Sequence, residues 1–228
     1  MDTEYRKEFL LKMYDQLNNE INRHISSVWQ SAGVLVGAFA LFSLTEKNII
    51  PIDLAIAIIV CLLAWYVLQV IDSNYWYNRN LAIITNIERQ FLLESDLKNI
   101  HYYFGLPRNS HSILTNFKIQ LFLGRSLVLF LLLYHLIIRI FPGFNESWTN
   151  FEPLRLLPYV AIIISAIFIR WLKNKRIKDY EEFLKNSPGI TVNVQGIKYG
   201  GGHGFESADK SIFIKIFNTI DKLLDKIF

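Results

Sequence analysis

Four long apolar stretches constrain this chain more than any other feature of its sequence. They cover residues 26–44, 49–71, 119–141 and 156–172 of a 228-residue chain. About 20 consecutive, mostly apolar helical residues cross the hydrocarbon core of a bilayer. A soluble domain of this length has little use for four such stretches, and the charged residues fall almost wholly outside them. The sequence therefore predicts an all-α fold, a four-helix transmembrane bundle in contact with a lipid bilayer.

The distribution of lysine and arginine predicts how the bundle is oriented. Twenty of the 24 lysines and arginines lie before the first stretch, between the second and third, or from Arg170 in the last turn of the fourth onward. The opposite side holds only Lys47, Arg139 and Arg155. Cytoplasmic loops of membrane proteins carry the excess of positive charge. We therefore expect an N-in/C-in topology with a cytoplasmic helical segment over residues 72–117.

The segments outside the four stretches predict further cytoplasmic elements. Residues 1–25 are expected to form an amphipathic helix, since apolar residues recur there at spacings of three and four. They are largely polar, so no signal peptide is predicted at this end. Span two is expected to continue as a helix to about residue 93, past Tyr75, Trp76 and Tyr77, which resemble an interfacial aromatic belt.

The C-terminal tail, residues 173–228, contains a predicted strand over 190–199 and a glycine-rich hinge over 200–204. An amphipathic helix follows over 211–228 and must bury its apolar face. Its partner is open at this point: the N-terminal helix, another subunit, a different protein or the membrane surface. The candidate oligomer or partner face consists of Ile216, Phe217, Ile220, Leu223 and Leu224.

Polar side chains within or beside the spans are candidates for function, because such residues are costly in lipid. Arg125 lies inside span three and is expected either to snorkel to the headgroups, to pair with Asp72, or to line a polar path between subunits. His135 lies farther along the same span, where hydrogen-bonded packing is the expected role. The full set of candidates for intramembrane polar contact or pairing is Arg125, Asp72, Gln69, Gln30 and His135.

Gly33 and Gly37 form a G-x-x-x-G motif in span one. Helix association in lipid depends on close backbone contact, which small residues permit. The motif predicts a packing face, and its neighbour is either another span of this chain or a second subunit.

No motif predicts catalysis, a cofactor or a metal site. Cys61 is the only cysteine, and the five histidines lack the four-residue spacing of a helical metal pair. The basic excess follows the membrane boundaries, so direct binding of nucleic acid is not expected. The sequence thus favours a protein that is not an enzyme.

The architecture resembles small bacterial membrane proteins of anti-phage defence. The SLATT family has an N-terminal helix, a pair of spans and a cytoplasmic helix, and the resemblance covers residues 5–93. The residues nearest to a signature are Tyr77, Asn78, Arg79, Ile87, Glu88 and Arg89. The four-span membrane subunit of the Kiwa defence system is similar over the whole chain, whereas the two additional spans depart from the SLATT pattern.

These patterns lead to one principal expectation and two alternatives. The principal one is a homo-oligomeric sensor or effector of a bacterial inner membrane, responding to a cytoplasmic protein or a small signalling ligand by perturbing the membrane. The alternatives are a constitutive channel or small transporter, and a membrane scaffold that recruits a cytoplasmic partner. Fold alone does not decide among them.

Overall fold

The structure, a computed structural model, describes residues 3–88, 90–92, 96, 113–144 and 152–187. All regular structure in these ranges is helical. The principal helices are α1 (Thr3–Ser31), α2 (Val34–Glu46), α3 (Ile52–Glu88) and α4 (Thr115–His135). After α4 come a π-helical segment (Leu136–Ile140), the short α5 (Phe141–Gly143), a 3-10 helix (Pro153–Leu156) and α6 (Leu157–Asn186).

Four helical stretches, some of which join neighbouring elements such as α1 and α2, are long and apolar enough to cross a membrane. They are Glu4–Glu46, Ile52–Glu88, Asn116–Gly143 and Pro153–Asn186. The expectation of an all-helical chain with four such helices is confirmed over the described residues. The helices extend well beyond the apolar stretches, because the polar residues that flank the stretches also favour helix. In particular, α3 continues without a break from Ile52 to Glu88.

The turn between α2 and α3 is fixed by local hydrogen bonds. The backbone N–H of Asn48 donates to the carbonyl of Thr45, and that of Ile49 donates to Leu44, which is the pairing of a Schellman motif. Asn48 takes the left-handed conformation this motif requires, with φ 54°, which asparagine tolerates better than most residues. Pro51 then precedes α3, where its missing N–H costs nothing.

The described residues form two compact units. The first, here called the apolar unit, contains Ser27–Asp72 and Ile113–Asn174. The second, here called the polar unit, contains residues 3–26, the part of α3 from Ser73 onward and the part of α6 from Lys175 onward.

The core of the apolar unit is built around α3. Four apolar side chains on one face of α3 contact two apolar side chains of α4. Partly buried residues of α2 and α6 pack against this group. In the most apolar 18-residue part of α3, 61% of the residues are buried. In the corresponding parts of the first and last candidate spans, only 11% are buried. Helix α3 is therefore central, and the outer helices present apolar side chains that suit lipid. The buried residues of this core are Ile56, Ile59, Val60, Leu63, Val128 and Leu131.

Helices α3 and α4 approach closely at Gly124. A Cβ atom at this position would lie 3.2 Å from Cδ1 of Tyr66 and 3.3 Å from Cγ2 of Val67. Both neighbours are buried. The absence of a side chain at Gly124 therefore sets the spacing of the two helices, as small residues do in membrane bundles.

The polar unit has its own core, in which the aromatic run after Asp72 takes part. Tyr75 and Ala82 of α3 are buried with Tyr180 and Leu184 of α6. The ring of Trp76 stacks on His24 of α1, with centroids 6.2 Å apart. The resemblance of this run to an interfacial belt was thus misleading for Tyr75 and Tyr77, which pack inside the protein because helices cover them.

Cations line the same aromatic side chains. The Arg176 guanidinium lies 4.5 Å from the Tyr75 ring centroid, and that of Arg79 lies 5.0 Å from the Trp76 centroid and 5.4 Å from that of Phe183. Such contacts are favourable, particularly when partly desolvated. They bind α3 and α6 together within the polar unit.

Replacing Gly124 should test the close approach of α3 and α4. We expect Gly124→Leu to lower the free energy of unfolding by about 1–3 kcal/mol, because the added side chain overpacks the contact with Tyr66 and Val67. Unfolding in mixed detergent micelles provides the measurement. Gly37→Leu is the matched control, since a Cβ at Gly37 meets no atom within 4 Å. Equal stability of the two variants would contradict the packing described.

Candidate functional site

Asp53, the second residue of α3, is the centre of a buried group of charges. Only 2% of its surface is exposed. Its Oδ2 accepts a hydrogen bond from Nη2 of Arg139 at 2.9 Å, and its Oδ1 accepts one from Nε of Arg139 at 3.1 Å. Nε2 of His135 lies 2.8 Å from Oδ1. A carboxylate held by two side chains in this way keeps its negative charge compensated inside the bundle.

The hydrogen bonds around His135 are consistent with one neutral tautomer. An ionised carboxylate only accepts, so Nε2 of His135 carries a hydrogen toward Asp53. Nδ1 lies 3.1 Å from the hydroxyl of Tyr159, which donates to it when the ring is neutral. The His135 side chain is fully buried. Both of its ring nitrogens therefore have a partner.

The end of α4 delivers His135 and Arg139 to the same carboxylate. The two residues are four apart, and the helix passes between them into the π-helical segment Leu136–Ile140. The N–H of Phe141 there donates to the carbonyl of Leu136, five residues back. A π segment widens the helix locally and is frequent at functional sites. Charge placement also suits the helix dipoles, since Asp53 is in the first turn of α3 and Arg139 lies in the π-helical segment that continues α4.

Two further charges extend the group toward the surface. Arg139 Nη2 also donates to Oε2 of Glu152 at 2.6 Å, and Arg155 donates to both carboxylate oxygens of Glu152 at 3.3 Å. Hydrogen bonds from Arg155, then from Arg139, hold the pKa of Glu152 below its usual value. Glu152 is therefore ionised at neutral pH. We call the six residues the Asp53 cluster: Asp53, His135, Arg139, Glu152, Arg155 and Tyr159.

The Asp53 cluster links three helices through side chains alone. Asp53 begins α3, His135 ends α4, and Tyr159 lies in the first turn of α6. The described part of the chain brings no three His, Cys, Asp or Glu side chains together in a way that would hold a metal ion. Chemically, the arrangement is suited to joining helix ends by alternating charges.

The structure places the sequence-predicted polar residues at different depths and exposures. His135 belongs to the Asp53 cluster. Arg125 precedes it by ten residues, or about 15 Å along the helix axis, and is also buried, with 3% exposed. Val128 and Leu131 of the apolar core lie between them in α4. Asp72 and Gln69 are half-buried and Gln30 is exposed.

The predicted packing motif has no close neighbour at one of its two glycines. Gly33 and Gly37 are both exposed, and a Cβ at Gly37 would meet nothing within 4 Å. A second subunit as the neighbour of this face stays a prediction. The predicted strand over 190–199, the hinge over 200–204 and the helix with Ile216, Phe217, Ile220, Leu223 and Leu224 lie outside the described residues.

A groove of about 470 Å³ lies in the polar unit, where the start of α1 meets the ends of α3 and α6. Its apolar lining is Leu10, Ile83, Ile87 and Phe183, and its polar lining is Arg6, Asn86, Gln90, Asn186 and Ser187. The volume is in the range of sites for small molecules or single side-chain anchors. We call it the polar-unit groove.

Hydrogen bonds across the polar-unit groove join α1 to Gln90, just after α3, and α3 to Ser187, just after α6. Arg6 donates to Oε1 of Gln90 at 3.3 Å, and Asn86 donates to Oγ of Ser187 at 3.0 Å. Beside the groove, the Tyr14 hydroxyl donates to Glu88 at 3.2 Å. Arg6 is the only charged residue of the described lining, so the groove favours a ligand with an apolar part and a negative or carbonyl-rich edge.

Sequence reasoning missed most of the Asp53 cluster. A usable signal was present: an acid in the first turn of span two, and a His and an Arg four residues apart at the end of span three. In an antiparallel pair those positions share one membrane depth. From the sequence, Arg139 and Arg155 served only to predict the orientation of the bundle in the membrane. No sequence pattern pointed to Tyr159.

No protein-family model, no curated protein and no solved structure matches this chain. Its four long apolar helices suggest a multi-pass membrane protein.

Removal of the central carboxylate should be costly. We expect Asp53→Ala to lower the free energy of unfolding in micelles by about 3–5 kcal/mol, because His135 and Arg139 lose a buried partner. Glu46→Gln is the control: it removes an exposed carboxylate from the end of α2 and should leave stability within about 0.5 kcal/mol. A small effect of Asp53→Ala would show that the cluster does not stabilise the bundle.

Proposed function

We propose that this chain is a non-enzymatic protein of a bacterial inner membrane that forms homo-oligomers and converts a cytoplasmic signal into a rearrangement of its spans. Both termini and the polar unit face the cytoplasm in this proposal, as the distribution of lysine and arginine favours. Membrane perturbation as a step in anti-phage defence is the physiological role proposed.

Helix continuity is the observation that carries the proposal. Helix α3 has 37 residues and is about 55 Å long, with Asp53 in its first turn and groove residues Ile83, Asn86 and Ile87 in its last two turns. Helix α6 likewise has Tyr159 in its first turn and Phe183 and Asn186 near its end. Each of the two helices therefore contributes residues both to the groove and to the Asp53 cluster, which supports a coupling between the two sites.

The polar-unit groove is the proposed receiving site for the signal. Three helices contribute to it, so an occupant that contacts all three changes their mutual arrangement. Its apolar side chains and side-chain amides suit either a segment of a cytoplasmic protein or a small signalling ligand. A ligand shifts such an equilibrium only by its difference in affinity for the two arrangements.

The channel alternative has one supporting observation. Gln120 is buried, with 5% exposed, and its amide makes no hydrogen bond to any described residue. It lies on α4 before the buried Arg125. However, Val128 and Leu131 follow in the apolar core, and these side chains separate Arg125 from His135. A continuous polar path within one chain is therefore not favoured.

The scaffold alternative depends on the segment 211–228. Deleting that segment would abolish recovery of a partner protein if recruitment were the function. A sensor and effector instead requires a membrane response, which separates the two proposals.

Cysteine labelling tests the proposed orientation. In a Cys61→Ala background, Ile49→Cys should react with a membrane-impermeant maleimide on intact spheroplasts, since Ile49 is exposed in the turn between α2 and α3. Glu181→Cys, which is exposed on α6, should react only after permeabilisation. The reverse pattern would overturn the topology.

Groove variants test the proposed function in cells. During challenge with a panel of phages, wild-type protein should depolarise the membrane and admit an impermeant dye. Phe183→Ala combined with Arg6→Ala should weaken the response about tenfold or more, because an aromatic anchor and a charge are lost. Leu11→Ala, outside the groove on the exposed face of α1, should respond as wild type. Absence of depolarisation with wild-type protein under every challenge would refute the effector role.

A further inference from the structure

We propose that the Asp53 cluster is a clasp that holds α3, α4 and α6 together at one end in the resting state, and that its release is the step by which the spans open. This inference rests on the proposed function, since it specifies how the spans respond to a signal. It is derived from the position, burial and chemistry of the cluster.

Position is the first argument. The cluster lies directly beside the core that it would close, because Asp53 is one turn from Ile56 on α3 and His135 is one turn from Leu131 on α4. Ile56 is fully buried. Separation of the cluster would therefore open the end of this core.

Side-chain exposure rises from Asp53 through Arg139 to Glu152, whereas the Arg155 side chain is 11% exposed. The side chains of His135 and Asp53 are 0% and 3% exposed, that of Arg139 is 30% exposed, and that of Glu152 is 53% exposed. Arg139 spans the change, since it binds Asp53 on the buried side and Glu152 on the exposed side. Arg139 can thus leave Asp53 for Glu152 and water without losing all its partners, which gives the clasp an available open state.

Chemistry distinguishes a clasp from simple reinforcement. Well-packed apolar residues usually stabilise a buried site as well as an ion pair does. What an ion pair adds is a contact that depends on direction and that is either formed or broken. Interiors that are closely packed switch between arrangements and do not deform continuously. A cluster of this kind therefore favours two states of the helix ends, closed and parted.

The direction of a mutational effect separates the clasp from a merely structural role. If the cluster only stabilises the fold, weakening it lowers activity. If it is a clasp, weakening it raises membrane leakage in the absence of any signal. Asp53→Asn and Arg139→Lys are suitable variants, because both keep side-chain volume and some hydrogen bonding while removing a charge or the two-point contact.

Leakage from vesicles provides the measurement. Full-length protein is reconstituted into vesicles of phosphatidylethanolamine and phosphatidylglycerol loaded with a fluorescent dye. Without any signal, Asp53→Asn and Arg139→Lys should release dye about tenfold faster than wild type, the size of a typical coupling between sites. Glu46→Gln should release dye at the wild-type rate. Circular dichroism establishes that each variant is helical.

Reclosing the clasp chemically gives a second, independent readout. In the Cys61→Ala background, Asp53→Cys with His135→Cys removes the central contact and should leak at rest. A short bifunctional thiol reagent that bridges the two cysteines should then stop the leak, whereas a monofunctional reagent should not. A fold that had merely been destroyed would not be resealed by the bridge.

The outcomes separate the clasp from the proposed function. Dye entry in phage-challenged cells with wild-type protein, together with silent vesicles for Asp53→Asn, Arg139→Lys and the unbridged double-cysteine variant, would overturn the clasp and leave the function standing. Absence of dye entry in cells and of leakage in every vesicle sample would overturn both. Leakage at rest that the bridge reverses supports the clasp.

Discussion

A carboxylate remains ionised inside an apolar helical bundle only where cationic or donating groups meet it, and at Asp53 two residues of one helix end do so. Arg139 supplies two hydrogen bonds to the carboxylate and His135 a third. Because Asp53 belongs to α3 and both of these residues belong to the end of α4 and its π-helical continuation, satisfying the charge also fixes which helix ends are neighbours. The apolar core next to them stabilises the bundle through the hydrophobic effect, which does not depend on direction. The hydrogen bonds between the charged groups add contacts that do.

The fold was largely predictable because lipid imposes a simple rule on the sequence. Apolar stretches of membrane-spanning length must be helical, since backbone groups in hydrocarbon need internal partners. That rule yields the four helices and the all-α class. It does not say which residue of one helix meets which residue of another, because Asp53 and His135 are separated by 82 positions in sequence.

The site was predictable only in part, for reasons visible in particular residues. His135 drew attention as a polar residue in an apolar helix, and the structure places it at the cluster. Arg139 looked like an orienting charge because it follows the apolar stretch, and only the π-helical segment and the packing of α4 on α3 bring it to Asp53. Tyr75 and Tyr77 looked interfacial because composition cannot reveal that both are buried, Tyr75 against Tyr180 and Leu184 of α6. Groove residues are scattered over three segments, so no local pattern unites them.

The proposed function depends on two groups of residues to which α3 contributes, the polar-unit groove and the Asp53 cluster. The last turns of α3 contribute to the groove, which is lined by apolar side chains, amide groups and one arginine. The first turn of α3 contains the buried carboxylate of Asp53. Helix α6 also contributes to both. A protein that only anchored a partner would need the groove but not a buried charge cluster.

A double-mutant cycle between Asp53 and Arg139 tests the central claim most directly. The free energy of unfolding would be measured in lipid bicelles for wild type, Asp53→Asn, Arg139→Gln and the double variant. The account predicts a coupling free energy of about 1.5 kcal/mol or more, as found for close charge pairs that are largely desolvated. Additivity within about 0.5 kcal/mol would contradict it, because two residues whose effects simply add do not hold each other in place.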